Sequence, residues 1–321
     1  MAFSIVQIRS LPSPSVTGIG WRRAAACVSA GNGQFFWLAL LVIRYPEAAR
    51  LQAVRMKNLA KRLDDSFLVS SFRVFAALML REMITRYGRS FGGYIWAVVE
   101  PMAVIGMLSL VFSQFLDSPP YGESFLLFFS TGYLPFFFFI SVAGQVGSGL
   151  SVNRELLQLP MVKPLDVLIA RFVLAFLTLL FVSVIVFGIV SITVHHSLHI
   201  DPVALIAAFA SASALGLGVG TLNAFLFALL PAWRQVWGLL SAPLMILSGI
   251  FYTLDSMPSQ IQDVLIWNPL VHSVGITRAA FFPSYHADYA NLGYVMALAV
   301  AMLLPGLFLI ARYRWVVIDS R

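Results

Sequence analysis

Three histidines, His195, His196 and His199, crowd one short connection, at a spacing where imidazoles can share a metal ion. Only Asp201 is at hand to complete a ligand set, and a short connection between apolar stretches is polar simply because it is wet. No metal site is assigned. Glu100, followed by Pro101, lies inside an apolar stretch. A carboxylate at the centre of a bilayer costs about 2.5 to 3.5 kcal/mol, so it faces a cavity or a partner. It either lines a path or pairs with an arginine at the interface, while Pro101 frees a backbone carbonyl and bends the helix. Asp64 and Asp65 sit beside Lys61 and Arg62 as a solvated charge cluster. The lysines are Lys57, Lys61 and Lys163, and none follows a glycine, so the GxxxxGK loop that cradles nucleotide phosphates is absent. Any energy from ATP must then enter through a separate subunit. Cys27 is the single cysteine, which excludes an intrachain disulfide and a thiolate metal site.

The elements that carry these residues are set by composition. Of 321 residues, 60% are hydrophobic and 11% charged, with mean hydropathy +0.86, against roughly 25% charged residues in a soluble domain. Such a chain cannot be a water-soluble globule. The formal charge of +7 is uneven: in residues 1–55, six arginines against Glu47 give +5, which leaves +2 for the body. No basic patch interleaved with aromatics marks a nucleic-acid surface.

Crossing a hydrocarbon core takes about 20 apolar residues in a helix, because backbone groups in lipid must bond internally. Six stretches qualify: 94–116, 125–146, 172–194, 202–230, 236–254 and 289–311. Lys57, Lys61, Arg62, Arg73, Arg81, Arg86 and Arg89 precede the first; Arg154, Lys163 and Arg171 follow the second; Arg234 follows the fourth; Arg312, Arg314 and Arg321 follow the sixth. The alternate connections are nearly free of Lys and Arg, so both termini are expected in the cytoplasm. Residues 67–89 place Phe67, Leu68, Phe72, Phe75, Met79 and Met83 at three- and four-residue intervals, as in a helix lying in the membrane interface. A surface helix held by its own charge pairs is the competing reading. Between 255 and 288 the chain is too apolar for a free loop and too interrupted to span. Asn268 and Pro269 break it into two half-helices that re-enter the outer leaflet, or into a plain hairpin. Residues 1–55 fit no element and read as an extension, with Met56, which opens MKNLAKRL, as the native start.

Aromatics are dense, with 27 Phe, 10 Tyr and 7 Trp. Most serve as lipid-facing surface and interfacial belts. Sugar rings also stack on aromatic faces, and Tyr94, Trp96, Phe136 to Phe139, Phe251 and Tyr252 lie where a pore would run.

Four segments carry a family resemblance: LREMITRYGRSFGGYIWAVVEP from Leu80, NRELLQLPMVKPLDVLIARF from Asn153, SGIFYTLDSMP from Ser248 and WNPLVHSVGITRAAFFPSYH from Trp267. From about Phe67 onward the chain resembles the membrane subunits of type-two ABC exporters of capsular and related cell-surface polysaccharides in Gram-negative bacteria. The resemblance implies an all-α integral membrane protein, multi-pass in the bacterial inner membrane. It would have six transmembrane helices, an N-terminal amphipathic interfacial helix and a re-entrant helical pair between spans five and six, all in one domain over 56–321. It implies a homodimer joined to two ATPase subunits, which hold the ATP and Mg, with lipid-linked polymer passing between protomers and periplasmic or outer-membrane export components beyond. Arg154, Glu155, Leu156, Leu157 and Lys163 would form or flank the helix that couples to the ATPase; Arg81, Glu82, Arg86 and Tyr87 would belong to the helix gating the cytoplasmic mouth. Glu100, His272 and Arg278 join Tyr94, Trp96, Phe251 and Tyr252 as residues of the translocation path. One departure is Gly275, where the family pattern has a glutamate.

The expected function is therefore a transport subunit without catalysis of its own. The same architecture carrying a drug or lipid is the first alternative, since architecture does not name cargo. A membrane glycosyltransferase or polymerase using Glu100 or the histidines is the second. It lacks a convergent set of acid, base and metal ligands.

Overall fold

The computed structural model describes residues 78–83, 92–158, 162–194 and 200–313. The gate residues Arg86 and Tyr87, the three clustered histidines, the extension with Met56, and most of the interfacial helix lie outside these residues, as does the side chain of Tyr94. Within them the chain is helical, without strands. Residues 78–83 form a helical turn. It is followed by α1 (Gly92–Phe112), α2 (Phe125–Gly147), the short α3 (Gly149–Val152) and α4 (Arg154–Leu157), α5 (Pro164–Val194), α6 (Pro202–Leu229), α7 (Trp233–Leu247), a 3-10 turn at Leu254–Ser256, α8 (Ser259–Leu265), α9 (Pro269–Phe281) and α10 (Leu292–Arg312). Five helices, α1, α2, α5, α6 and α10, are long and apolar enough to cross a membrane.

Helix ends fall where local chemistry puts them. Ser124 caps α2 through its Oγ, and Asp201 caps α6 by accepting from Val203 N at 2.9 Å and Ala204 N at 3.2 Å, with Pro202 in the first turn. Asp201 Oδ1 is thus occupied by a helix end. The sequence places the third stretch at 172–194, but α5 starts at Pro164, because Val167, Leu168 and Ala170 already pack into the core. The fifth stretch, expected at 236–254, is the 15-residue α7, about 22 Å at 1.5 Å per residue. It stops before Gly249, whose φ of +80° takes the chain out of helix. Asn268 and Pro269 do break the next segment: Asn268 Oδ1 accepts from Leu270 N at 3.1 Å and starts α9.

The centre of the bundle is α2 and α6. Helix α6 packs along α2 on one side and α10 on another, α9 covers both α2 and α6, and α5 and α1 lean on α2. Glycines permit the approach. A Cβ on Gly216 would lie 2.8 Å from Phe139 O, and one on Gly220 2.9 Å from Val146 Cβ, both on α2. Gly218 turns the other way, onto the backbone of Ala299 in α10, and Gly306 of α10 returns the contact, 2.9 Å from Leu222 N. Lipid-facing helices gain little from the hydrophobic effect between them, so close van der Waals contact through small residues holds them together. Phe136, Phe137, Phe138 and Phe139 belong to this core and are buried, with Phe138 stacked on Phe209 at 4.3 Å. The expectation that they border a pore gives way to packing, because α2 is surrounded by other helices.

Gly220→Val is expected to destabilise the bundle by about 1 to 3 kcal/mol through overpacking, whereas Gly144→Ala, whose Cβ meets nothing within 4 Å, should be neutral or stabilising. Thermal unfolding of the full chain in lipid nanodiscs distinguishes them.

Candidate coupling site

The two charge-bearing segments singled out in the sequence meet at the end of α2. After Gly147 the chain bends at Ser148, whose Oγ donates to Gly144 O at 2.9 Å, then runs through α3 to Asn153 and into α4. Asn153 is 2% exposed. Its Nδ2 donates to Gly149 O at 3.1 Å, and its Oδ1 accepts from Arg81 Nη1 at 2.7 Å. Beside it Arg171, near the start of α5 and 7% exposed, donates from Nη1 to Gln145 O and to Ser148 Oγ, both at 2.9 Å. Its Nη2 is ion-paired with Glu82. Gly149 makes the room: a Cβ there would be 3.3 Å from Arg171 Cδ.

Burying two charges costs several kcal/mol per ion, and the pair is tolerable when the remaining donors are satisfied. Arg171 goes most of the way to that condition, with Nη2 on the carboxylate and Nη1 on a backbone carbonyl and a hydroxyl. The result joins three pieces of chain: the helical turn 78–83, the bend after α2, and α5.

The short α4 is presented from this base. Leu157 is buried, Leu156 packs partly against the same core, and Glu155 is exposed. Lys163 is exposed, and its backbone N donates to Asp166 Oδ2 at 3.3 Å at the start of α5. Arg81 and Glu82 are thus brought to the Arg154–Leu157 segment through Asn153 and Arg171. Both lie in the segment NRELLQLPMVKPLDVLIARF that carries part of the resemblance, but neither has a coupling role of its own in the sequence reading.

The proposed path residues separate into two groups. Trp96, 68% exposed, and Glu100 share one exposed stripe of α1 with Val99 and Met107, while Pro101 and Ile105 face the core. At the far end of α1, Phe112 stacks on half-buried Phe251 at 5.9 Å. His272 and Arg278 lie inside the protein. Asn291 N donates to His272 Nδ1 at 3.1 Å, so Nε2 carries the hydrogen and donates to Ile266 O at 2.7 Å. Arg278, 1% exposed, donates to Tyr252 O at 2.7 Å and Ile250 O at 3.1 Å and lies 4.3 Å over the Phe128 ring. It clamps the turn around Gly249 to α2 and α9.

At Gly275 a Cβ would lie 2.6 Å from Tyr289 Oη, so the tyrosine hydroxyl fills the space of the side chain this position lacks. That hydroxyl bonds Tyr285 Oη at 2.9 Å, and burial pushes Tyr289 up, away from ionisation.

Among the described residues no group of three or more His, Cys, Asp or Glu could hold a metal ion.

Glu82→Leu removes the carboxylate paired with the buried Arg171 guanidinium and is expected to cost up to about 3 to 5 kcal/mol, and Glu82→Leu with Arg171→Met should recover part of that loss. Thermal unfolding of the two single variants and the double completes the cycle.

The family model for the ABC-2 type transporter matches residues 73–282. The polysialic acid transport protein KpsM of Escherichia coli is 31% identical over 233 residues, 73% of this chain and 90% of that protein. The capsule polysaccharide export inner-membrane proteins CtrC of Neisseria meningitidis (27% identical, covering 80% of this chain and 97% of that protein) and BexB of Haemophilus influenzae (26%, 75% and 91%) are similar. The chain belongs to the ABC-2 type transporter family, as a multi-pass protein of the inner membrane.

Proposed function

We propose that this chain is the permease subunit of an ATP-driven exporter of lipid-linked capsular or related cell-surface polysaccharide. The observation that carries the reading is α4, a four-residue helix held on a buried base with Glu155 outward and Leu157 inward. Such a projection suits a cleft on a separate ATPase subunit, which would supply nucleotide and magnesium. Names of the similar proteins, polysialic acid transport and capsule polysaccharide export, support the cargo class.

On this reading α4 lies in the cytoplasm with both termini. The fifth of six spans is α7 with the turn at Ser248–Tyr252, and α8 and α9 re-enter the outer leaflet. The burial of nearly all of α9 supports the re-entrant placement of that helix, because non-spanning backbone at membrane depth must be enclosed by protein. Two copies assemble with two ATPase subunits, and the polymer passes on to periplasmic and outer-membrane components. The exposed stripe of α1 and the outer face of α7, which has no fully buried residue, support the pairing of copies. Glu100 on that stripe is costly against lipid and suited to a watery path between copies, where Trp96 offers a stacking face. ATP binding biases two arrangements of the dimer only if α4 is gripped differently in each.

Exchanging the charges, Arg154→Glu with Glu155→Lys, should lower surface polysaccharide at least about tenfold, equivalent to ~1.4 kcal/mol of lost coupling, with the chain still present in the membrane. Quantifying surface polymer and co-purified ATPase tests it; normal export with normal assembly contradicts the assignment.

A further inference from the structure

Helices α5 and α6 follow one another in the chain, yet α5 packs mainly on α2, α6 packs on α2 and α10, and the two touch each other little. Between them runs a groove of about 580 Å³. Its floor is three buried rings, Phe187, Phe209 and Phe281, with Phe187 and Phe281 4.3 Å apart and Phe187 and Phe209 stacked at 6.4 Å. Its rims are Val184 on α5 and Ile206 on α6, 72% and 58% exposed. Midway along it Gly188 leaves a gap in which a Cβ would meet nothing within 4 Å.

Chemistry narrows the occupant. The hydroxyls on the wall are spent on their own helix: Ser183 Oγ donates to Leu179 O at 2.8 Å, and Ser191 Oγ to Gly188 O at 2.9 Å. The wall therefore offers no free side-chain donor and is almost wholly apolar, which favours an apolar ligand. Both helices are long and apolar enough to cross the bilayer, so the groove opens on hydrocarbon rather than water. A helix from another protein could enter it only in part, since 20 Å of helix about 10 Å across occupies roughly 1,500 Å³. A linear hydrocarbon chain fits.

We propose that the groove between α5 and α6 is a binding site for one acyl chain of a bilayer phospholipid. The surrounding bilayer is as apolar as the wall, so the chain is held by packing against fixed rings rather than by the hydrophobic effect. The lipid completes the contact that α5 and α6 do not make with each other.

The test uses the full chain in nanodiscs of phosphatidylethanolamine and phosphatidylglycerol, including phosphatidylglycerol with a photoreactive group on its acyl chain. Labelled peptides are then mapped by mass spectrometry. Labelling around Val184, Gly188 and Ile206 should exceed that at Leu304 and Phe308, exposed residues of the spanning helix α10. Gly188→Trp, which fills the gap, should reduce groove labelling to the level at Leu304 and Phe308; Gly188→Leu provides the same block if the tryptophan variant does not fold. Equal labelling at groove and α10 in the unaltered chain, or groove labelling that survives both substitutions, overturns the proposal. So does a disulfide between copies carrying Val184→Cys with Cys27→Ser, which would put a second copy in the groove.

Discussion

Backbone that leaves a helix near a membrane must find partners inside the protein, because lipid supplies none. In this chain two buried guanidiniums meet that requirement near opposite ends of α2. Arg171 takes the carbonyl of Gln145 where α2 ends, and Arg278 takes the carbonyls of Ile250 and Tyr252 where the chain turns after α7. Each is an expensive group to bury, and each is made tolerable by oxygens that breaks in helix leave available. Arg171 adds a carboxylate, Glu82, and Arg278 adds an aromatic face, Phe128. The difference matters for function. A carboxylate on a separate segment makes the first clamp a link between distant stretches of chain; a ring on α2 makes the second a tie within the bundle.

Between the clamps the bundle is built for close contact. Gly216 and Gly220 bring α6 against α2, and Gly218 with Gly306 brings it against α10. That leaves α1 and α7 outside the tight centre. No residue of α7 is buried, and its ends are tied, by Trp233 Nε1 to Asn223 Oδ1 at 3.0 Å and by Asn268 Nδ2 to Leu247 O at 2.9 Å. A tightly packed centre with tethered outer helices fits the proposed path between two copies, since the walls of such a path could shift without unpacking the core.

Long apolar runs made α1, α2, α6 and α10 readable to within a few residues, because hydrocarbon thickness imposes their length. The break at Asn268 and Pro269 was equally legible, being a property of those two residues. The start of α5 was misplaced by eight residues, since Asp166 and Arg171 look like loop charges until Arg171 is seen turned inward. The phenylalanines of α2 were misread for a related reason. Aromatic rings serve a core, a belt or a sugar site with equal chemistry, and only neighbours decide. Asn153 and Arg171 escaped notice because a contact between residues 81 and 153, or 82 and 171, depends on how helices are arranged in space, and no local pattern encodes it.

Coupling on this account runs from α4 through Asn153 and Arg171 to residues 78–83, which then move as one piece with the bend after α2. Hydrogen exchange by mass spectrometry, on the full chain in nanodiscs with and without Arg171→Met, addresses that linkage directly. If the linkage is real, the substitution raises exchange in residues 78–83 and 149–157 together while α6 and α9 keep their protection. Faster exchange in only one of the two segments, or in neither, would contradict it.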